Sequence, residues 1–411
     1  VTTGQGDDII IGDNGSITYD SNGALTVDGV ADVDDGIDTI SAGTGNVIII
    51  GGGAGDIIDR DDIDTNNLII GDGGVASFAS DGSLIIASTT QENIGGNDNI
   101  TVGAGDSHIL GGFGSDIITV TGGTDEVVII GDNGSIDYST GTFSSSDAST
   151  ATAGDDIINA ADGNTTVIAG YGADTVTTGL GDDIIVGDSG VITIDANGLI
   201  STIVGEADNF NDGVDVLTVG AGRAVVIGGG LGDLIISSSA TLNNLIIGDS
   251  GQATFAIDGS VITADTNEES VGGDDSITTA NGSSTLFGGF GNDQITVTSG
   301  TGNVVAVGDN GSVDYSAGID LQSTDSIIGT TGDDITTLAD GDSTVIAGFG
   351  ADIVTTGAGN EIVVGDNGTI LVTASGSTIV GVAEAVDGID TIDVGTGKAV
   401  VIGGGEADQI D

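Results

Sequence analysis

The sequence predicts an all-β chain: a parallel β-roll, or β-solenoid, with a β-hairpin inserted in each unit of about 59 residues. Three observations carry this. The tetrad Gly-Asp-x-Gly starts at Gly12, Gly71, Gly131, Gly187, Gly248, Gly308 and Gly365, at spacings of 59, 60, 56, 61, 60 and 57 residues. Within each unit a nine-residue beat alternates a glycine-rich turn with a short aliphatic strand. The composition combines 77 Gly with 38% apolar residues and no Pro, so the turns are abundant and the strands can bury a core.

A longer period lies over the first. Thr-Thr-Gly ends at Gly4, Gly179 and Gly357. We therefore expect one continuous solenoid over 1–411, about seven units long, in blocks 1–175, 176–353 and a partial 354–411. The chain starts Val1-Thr2-Thr3-Gly4 and ends inside a repeat, which reads as an interior or processed segment of a longer protein.

The nine-residue beat is clearest in Gly111-Gly112-Phe113-Gly114-Ser115-Asp116-Ile117-Ile118-Thr119 and Gly288-Gly289-Phe290-Gly291-Asn292-Asp293-Gln294-Ile295-Thr296. Residues 169–177, 347–355 and 178–186 are close variants. The pattern GGxGxDxUx, with U a large aliphatic residue, resembles the RTX (repeats-in-toxin, hemolysin-type) calcium-binding nonapeptide family, as in large adhesins and surface fibre proteins. The physics agrees. Glycine and small polar residues make the tight turn, and the last three residues form a strand with U inward. Two nonapeptides close one turn of a flattened roll, so residues 18 apart stack about 4.8 Å from each other.

This register assigns the edges. At the Asp position of the first and third strands the pairs are Asp38/Asp56, Asp98/Asp116, Asp156/Asp174, Asp215/Asp233, Asp275/Asp293, Asp334/Asp352 and Asp390/Asp408. The second-strand equivalents are Val47, Ser107, Thr165, Ala224, Ser284, Ser343 and Ala399, with no carboxylate. Fourth-strand equivalents are mixed: Asp8, Asn67, Val127, Asp183, Asn244, Val304 and Glu361. One edge should therefore carry a column of acid. Two carboxylates about 4.8 Å apart repel by about 3.5 kcal/mol at an effective dielectric near 20. A cation between them removes that cost, and Ca2+ suits it, with flexible oxygen coordination at about 2.3–2.6 Å. These paired aspartates are the expected metal ligands, for multiple Ca2+ ions. Asp13, Asp72, Asp132, Asp188, Asp249, Asp309 and Asp366 of the tetrads are a second candidate set, with an Asx-type turn as the competing explanation.

The faces differ too. Fourth strands such as Ile9-Ile10-Ile11 and Leu68-Ile69-Ile70 are apolar throughout, as expected of a strand buried on both sides. First and third strands place Thr outward at Thr101, Thr119, Thr278, Thr296, Thr337 and Thr355. One broad face should be solvated and the other covered. Each tetrad is followed by a strand–turn–strand pattern, such as Ser16–Tyr19, Asp20–Gly23 and Ala24–Val27, with an aromatic recurring at Tyr19, Phe78, Tyr138, Phe255 and Tyr315. These hairpins are the expected cover, or a surface for a neighbouring chain.

The net charge of −61, with only Arg60, Arg223 and Lys398 basic, excludes nucleic acid as a partner and points to cations. No apolar run approaches the roughly 20 residues of a membrane span, so no membrane insertion is expected. His108, the single histidine, reads as an outward surface substitution, and Arg223 and Lys398 as local charge relief. A lattice of equivalent carboxylates does not split pKa values as acid–base catalysis requires, so no enzyme activity and no catalytic residue is expected. The expected function is a structural Ca2+-binding repeat rod of an extracellular adhesin, matrix fibre or self-assembling filament. It would fold on Ca2+ binding and self-associate end to end or through its apolar face. The resemblance implies secretion, by the type I route, to the exterior or the cell surface. The alternative is a ligand-binding surface for glycan adhesion or ice binding through the Thr-bearing face.

Overall fold

A computed structural model of the chain describes residues 1–60, 66–146, 154–206, 212–238, 243–267, 270–280, 282–324, 332–383 and 387–411. Regular structure among these residues is β throughout. The chain divides into two compact units, Val1–Leu199 with Phe210–Gly213, and Ile200–Asn209 with Val214–Asp411. Each holds three layers, which we call the open face, the covered face and the hairpin layer.

In the first unit the open face is a parallel ladder of Thr39–Ser41, Ile57–Arg60, Asn99–Val102, Ile117–Val120, Ile157–Ala160 and Thr175–Thr177. The covered face is a second parallel ladder: Asp8–Ile11, Val47–Ile50, Asn67–Ile70, Ser107–Leu110, Glu126–Ile130, Asn164–Ile168 and Asp183–Val186. The chain alternates between the two ladders, as a β-roll does. Glycine-rich turns make the reversals at both edges, and Gly112 and Gly114, with φ of 114° and 117°, adopt a conformation that other residues rarely do. Residue pairing follows the nonapeptide register, with Ile100 against Ile118 and Thr101 against Thr119.

The aliphatic pattern explains which side is which. On the open face Ile118 is fully buried while its neighbours Ile117 and Thr119 reach solvent. On the covered face Asn67, Leu68, Ile69 and Ile70 are all buried. Inward residues of the two ladders, such as Ile58, Ile100 and Ile118 on one and Ile49, Ile69 and Ile109 on the other, form the interior of the roll, all with no exposed surface.

The hairpin layer is antiparallel: Asn14–Tyr19, Leu25–Val30, Gly74–Phe78, Leu84–Thr89, Gly134–Asp137, Thr142–Ser145 and Gly190–Ile194. Its buried stripe includes Val27, Ala76, Ala87, Ile136 and Phe143. Its backbone lies directly on covered-face side chains. A Cβ at Gly74 would meet Ile70 Cδ1 at 2.8 Å, and one at Gly134 would meet Ile130 Cγ2 at 2.8 Å. The hairpins therefore cover the apolar face of their own chain.

The second unit repeats the plan. Its open face comprises Val216–Val219, Leu234–Ser237, Ser276–Thr279, Gln294–Val297, Ile335–Thr337, Ile353–Thr355, Thr391–Asp393 and Gln409–Ile410. Its covered face runs Ala224–Gly229, Asn244–Asp249, Ser284–Phe287, Val304–Val307, Ser343–Ile346, Gly359–Val364 and Gly397–Ile402. Hairpin strands from Ile200–Gly205 to Gly376–Gly381 lie over it.

Candidate metal edge

Each aspartate of the first candidate set ends a glycine-rich turn and enters an open-face strand. The coil spacing sets the same residue of successive coils side by side, and the aspartates are joined in a chain of hydrogen bonds. The Asp38 N–H donates to Asp56 Oδ1 at 2.7 Å, Asp56 to Asp98 at 2.5 Å, Asp98 to Asp116 at 2.7 Å, Asp116 to Asp156 at 2.7 Å and Asp156 to Asp174 at 2.7 Å. In the second unit the same bonds run from Asp215 through Asp233, Asp275, Asp293, Asp334, Asp352 and Asp390 to Asp408, at 2.6–3.1 Å. The structure thus brings the predicted residues together along one edge in each unit. The steps alternate between 18 residues and 38–42, because every second coil carries the hairpin.

Only one carboxylate oxygen is used in this way. Oδ2 of Asp38, Asp56, Asp98, Asp116, Asp275, Asp293, Asp352 and Asp390 is buried and has no hydrogen-bond donor. Except at Asp352, where Ala347 holds the equivalent place, each such oxygen faces the turn glycine that follows a covered-face strand. A Cβ at Gly71 would collide with Asp98 Oδ2 and the Gly111 carbonyl; one at Gly111, with Asp116 Oδ2 and the Gly131 carbonyl; one at Gly288, with Asp293 Oδ2 and the Gly308 carbonyl. The edge is a row of small cradles, each lined by an orphaned carboxylate oxygen and a backbone carbonyl. That is the oxygen chemistry Ca2+ takes. Among the described residues no three acidic or imidazole side chains converge into a cage, so a cation held here would draw on carbonyls as well as carboxylates.

Burial, with the charge of neighbouring aspartates added, pushes the carboxyls upward. Asp56 reaches about 7, Asp98 about 8, Asp352 about 9 and Asp390 about 6. Asp116, Asp275 and Asp293 lie well above the usual carboxylate range. A buried, ionised, unpaired carboxylate is costly. At neutral pH the metal-free column must either take up protons or give way, and a divalent cation bound there would resolve the conflict.

The tetrad aspartates line the same edge but behave differently. Asp72 accepts the Gly96 N–H on Oδ1 at 3.1 Å and the Phe113 N–H on Oδ2 at 2.5 Å. Asp132 holds Gly154 and Tyr171 in the same way, at 3.2 and 2.7 Å, and Asp249 holds Gly273 at 3.0 Å and Phe290. Asp309 takes Gly332 and Phe349, while Asp13, Asp188 and Asp366 take Gly53, Gly213 and Gly405. These side chains are clamps between successive turns rather than the Asx turns that sequence reasoning offered as the alternative. Burial and the charge of Asp98 push Asp72 up to about 10.

The opposite edge is neutral where predicted. Ser107 accepts from Asn67 Nδ2 at 3.1 Å and donates to the Gly105 carbonyl. Three acids interrupt it, Asp8, Asp183 and Glu361, at the ends of the turns Thr3–Asp8, Thr178–Asp183 and Thr356–Glu361. Asp183 accepts the Thr165 N–H at 3.0 Å and the Thr178 hydroxyl at 2.7 Å, and burial pushes it up to about 6. Glu361 is buried as well. These residues are a further candidate set that was not selected from sequence. The signal was available: each of these turns keeps the glycine spacing of the nonapeptide.

His108 is not a free surface group. Its Nε2 is 2.7 Å from Tyr138 Oη, and the two rings meet edge to face at 5.6 Å.

The family model for the RTX calcium-binding nonapeptide repeat (4 copies) matches residues 1–16, 32–62, 94–135, 159–191, 270–304 and 339–369. In the first unit the matched segments contain most of the ladder strands, Asn67–Ile70 excepted, and the hairpin strands Leu25–Val30, Leu84–Thr89 and Thr142–Ser145 fall between them. In the second unit the ladder strands Val216–Val219, Ala224–Gly229, Leu234–Ser237 and Asn244–Asp249 lie outside the match. Comparison with the curated proteins and with the solved structures gives no match.

Proposed function

The chain carries RTX calcium-binding nonapeptide repeats, which bind Ca2+ at multiple sites, and on that premise we propose that it is a structural repeat element of an extracellular adhesin, matrix fibre or self-assembling filament. The observation that carries this reading is the set of buried Oδ2 atoms without a hydrogen-bond donor at Asp38, Asp56, Asp98 and Asp116 in the first unit and at Asp275, Asp293, Asp352 and Asp390 in the second. The Ca2+ ligands would be Asp38, Asp56, Asp98, Asp116, Asp156, Asp174, Asp215, Asp233, Asp275, Asp293, Asp334, Asp352, Asp390 and Asp408, with turn carbonyls completing each site. The tetrad aspartates would position the turns and contribute a ligand oxygen where a lone pair remains.

Metal binding and folding are then one process. Inside a cell, at low Ca2+, the charge of −61 keeps the chain open for export by type I secretion. Outside, millimolar Ca2+ fills weak sites and the roll closes. Blocks 1–175, 176–353 and 354–411 would repeat the same element, and strand edges at the ends of such a solenoid favour end-to-end self-association. The role is mechanical, with no catalytic step. The test is a Ca2+ titration of EGTA-treated protein followed by far-ultraviolet circular dichroism, with Mg2+ as control. A cooperative gain of β signal with Ca2+ alone is expected. Full β signal in EGTA, unchanged by Ca2+, contradicts metal-coupled folding.

One observation favours a second reading. Thr278, Thr296, Thr337 and Thr355 stack in register on the open face of the second unit, all reaching solvent. A flat threonine row suits a ligand-binding face, for ice or a glycan. Inhibition of ice recrystallisation by the Ca2+-loaded protein, and binding on a glycan array, would separate these from a purely structural role.

A further inference from the structure

In the first unit a cleft of about 720 Å3 lies between the covered face and the hairpin layer. Its floor is the outward row Ile9, Ile48, Leu68 and His108, and Phe78 and Tyr138 form its wall. Asp7, Asp8 and the Asn46 amide open onto it.

The chain contains its own comparison 177 residues further on, where Asn46, Phe78, Gly82 and Tyr138 become Arg223, Phe255, Gly259 and Tyr315. There the Arg223 guanidinium carbon lies 5.8 Å from the centre of the Phe255 ring, and Nη1 donates to the Gly259 carbonyl. A Cβ at Gly259 would meet Arg223 Nη1 at 2.7 Å, whereas one at Gly82 would meet nothing within 4 Å. The cleft that remains in the second unit, about 470 Å3, starts at Asn243 and Asn244 and includes neither Phe255 nor Gly259. The same sector is filled by the chain's own cation in one unit and open in the other. Arg223 is therefore a plug, a role that sequence reasoning, which read it as local charge relief, did not identify.

Charge differs in the matching sense. Asp106 and Glu126, whose charges act on Tyr138 in the wall of the open cleft, have neutral counterparts 177 residues further on in Ser283 and Asn303. Burial, then the carboxylates of Glu126 and Asp106, push the Tyr138 phenol up to about 12. Desolvation holds the His108 ring down at about 4, so at neutral pH it does not repel a cation.

We infer that the open sector above Phe78 and Gly82 binds the guanidinium of an arginine side chain supplied by a partner polypeptide. The guanidinium stacks on the Phe78 ring and donates to the Gly82 carbonyl, as Arg223 does within its own unit, and the acidic rim favours its charge. This reading stands apart from the role of Ca2+ at the edge.

The probe is acetyl-arginine N-methylamide, titrated into the full Ca2+-loaded chain at about 0.15 M salt, where long-range attraction is screened. The readout is the ring-proton shifts of Phe78 and Tyr138, with the citrulline analogue as the uncharged control. Saturable shifts with arginine and none with citrulline are expected. Asn46→Arg supplies the plug and should weaken binding at least about tenfold, though it changes the net charge of −61 by a single unit. Phe78→Leu keeps an apolar side chain but loses the ring, and should also weaken binding about tenfold. Arg223→Asn should open a second site, read at Phe255 and Tyr315. Equal response to citrulline, an unchanged response in both Asn46→Arg and Phe78→Leu, or no saturation in the wild-type chain would overturn the proposal.

Discussion

The two edges of each roll use the same glycine-rich turn and differ in one residue per coil. At one edge that residue is aspartate in coil after coil, buried, with Oδ1 tied to the next coil and Oδ2 left over in Asp98, Asp116, Asp275 and Asp293. At the other it is a neutral residue such as Val47, Ser107, Thr165, Ser284 or Ser343 in every second coil; acids enter only at Asp8, Asp183 and Glu361, and elsewhere the edge closes with neutral contacts such as the Asn67–Ser107 hydrogen bond. A short neutral side chain completes the turn by itself, so backbone geometry does not require the acid. The aspartate edge keeps buried carboxylate oxygens without donors at these aspartates, and on the proposed reading metal dependence concentrates on that side of the roll.

The widest test of that contrast is pH. The folded-state values of the edge carboxyls are raised, so the protonated form favours the fold. Their contribution is fully present below the ordinary value of 3.8 and is lost as pH rises through about 6 at Asp390, 7 at Asp56, 8 at Asp98 and 9 at Asp352. Calcium-stripped protein should therefore gain β signal as pH falls from 9 to 5. With Ca2+ present the signal should be nearly flat. A stripped protein that loses structure on acidification would reverse the sign and break the account.

Moving the acid to the wrong edge comes next. Ser107 has no exposed surface. Ser107→Asp should cost about 3–5 kcal/mol, the scale of an uncompensated buried charge, in urea melts with Ca2+ present. If Ca2+ rescued the variant fully, the edges would be interchangeable. Filling one cradle should have a smaller effect. Gly111→Ala drives a methyl group into Asp116 Oδ2 and the Gly131 carbonyl, for a loss of about 1–3 kcal/mol and a higher Ca2+ midpoint. The smallest expected change is also the most selective. Asp98→Asn keeps the Oδ1 acceptor for Asp56 and removes the charge. It should raise the Ca2+ midpoint a few-fold yet stabilise the calcium-stripped state at pH 8, opposite signs that loss of packing alone would not give.

The acid column was legible in sequence because a solenoid turns equal spacing into contact: Asp98 and Asp116, 18 residues apart, are neighbours in space. The covering hairpins were legible for a similar reason, since strand, turn and strand are contiguous in the chain. The clamps and the cleft were not. Asp72 reaches Gly96 and Phe113, 24 and 41 residues on, and Arg223 finds Phe255 across two layers. Those contacts depend on how layers stack, which the nonapeptide register does not encode. A hint did exist in the equal separation of His108 from Tyr138 and Thr285 from Tyr315, both of which form 2.7 Å hydrogen bonds. Asp8, Asp183 and Glu361 were overlooked because the fourth strands were judged as a set and not one turn at a time.

The most direct test of the central claim is the anomalous difference density of calcium in crystals grown with Ca2+. The account predicts peaks in the turns beside Asp98, Asp116, Asp275 and Asp293, and none beside Ser107 or Ser284, whose neighbours on the same edge are neutral. Peaks distributed equally along both edges, or none at the aspartate edge, would contradict it.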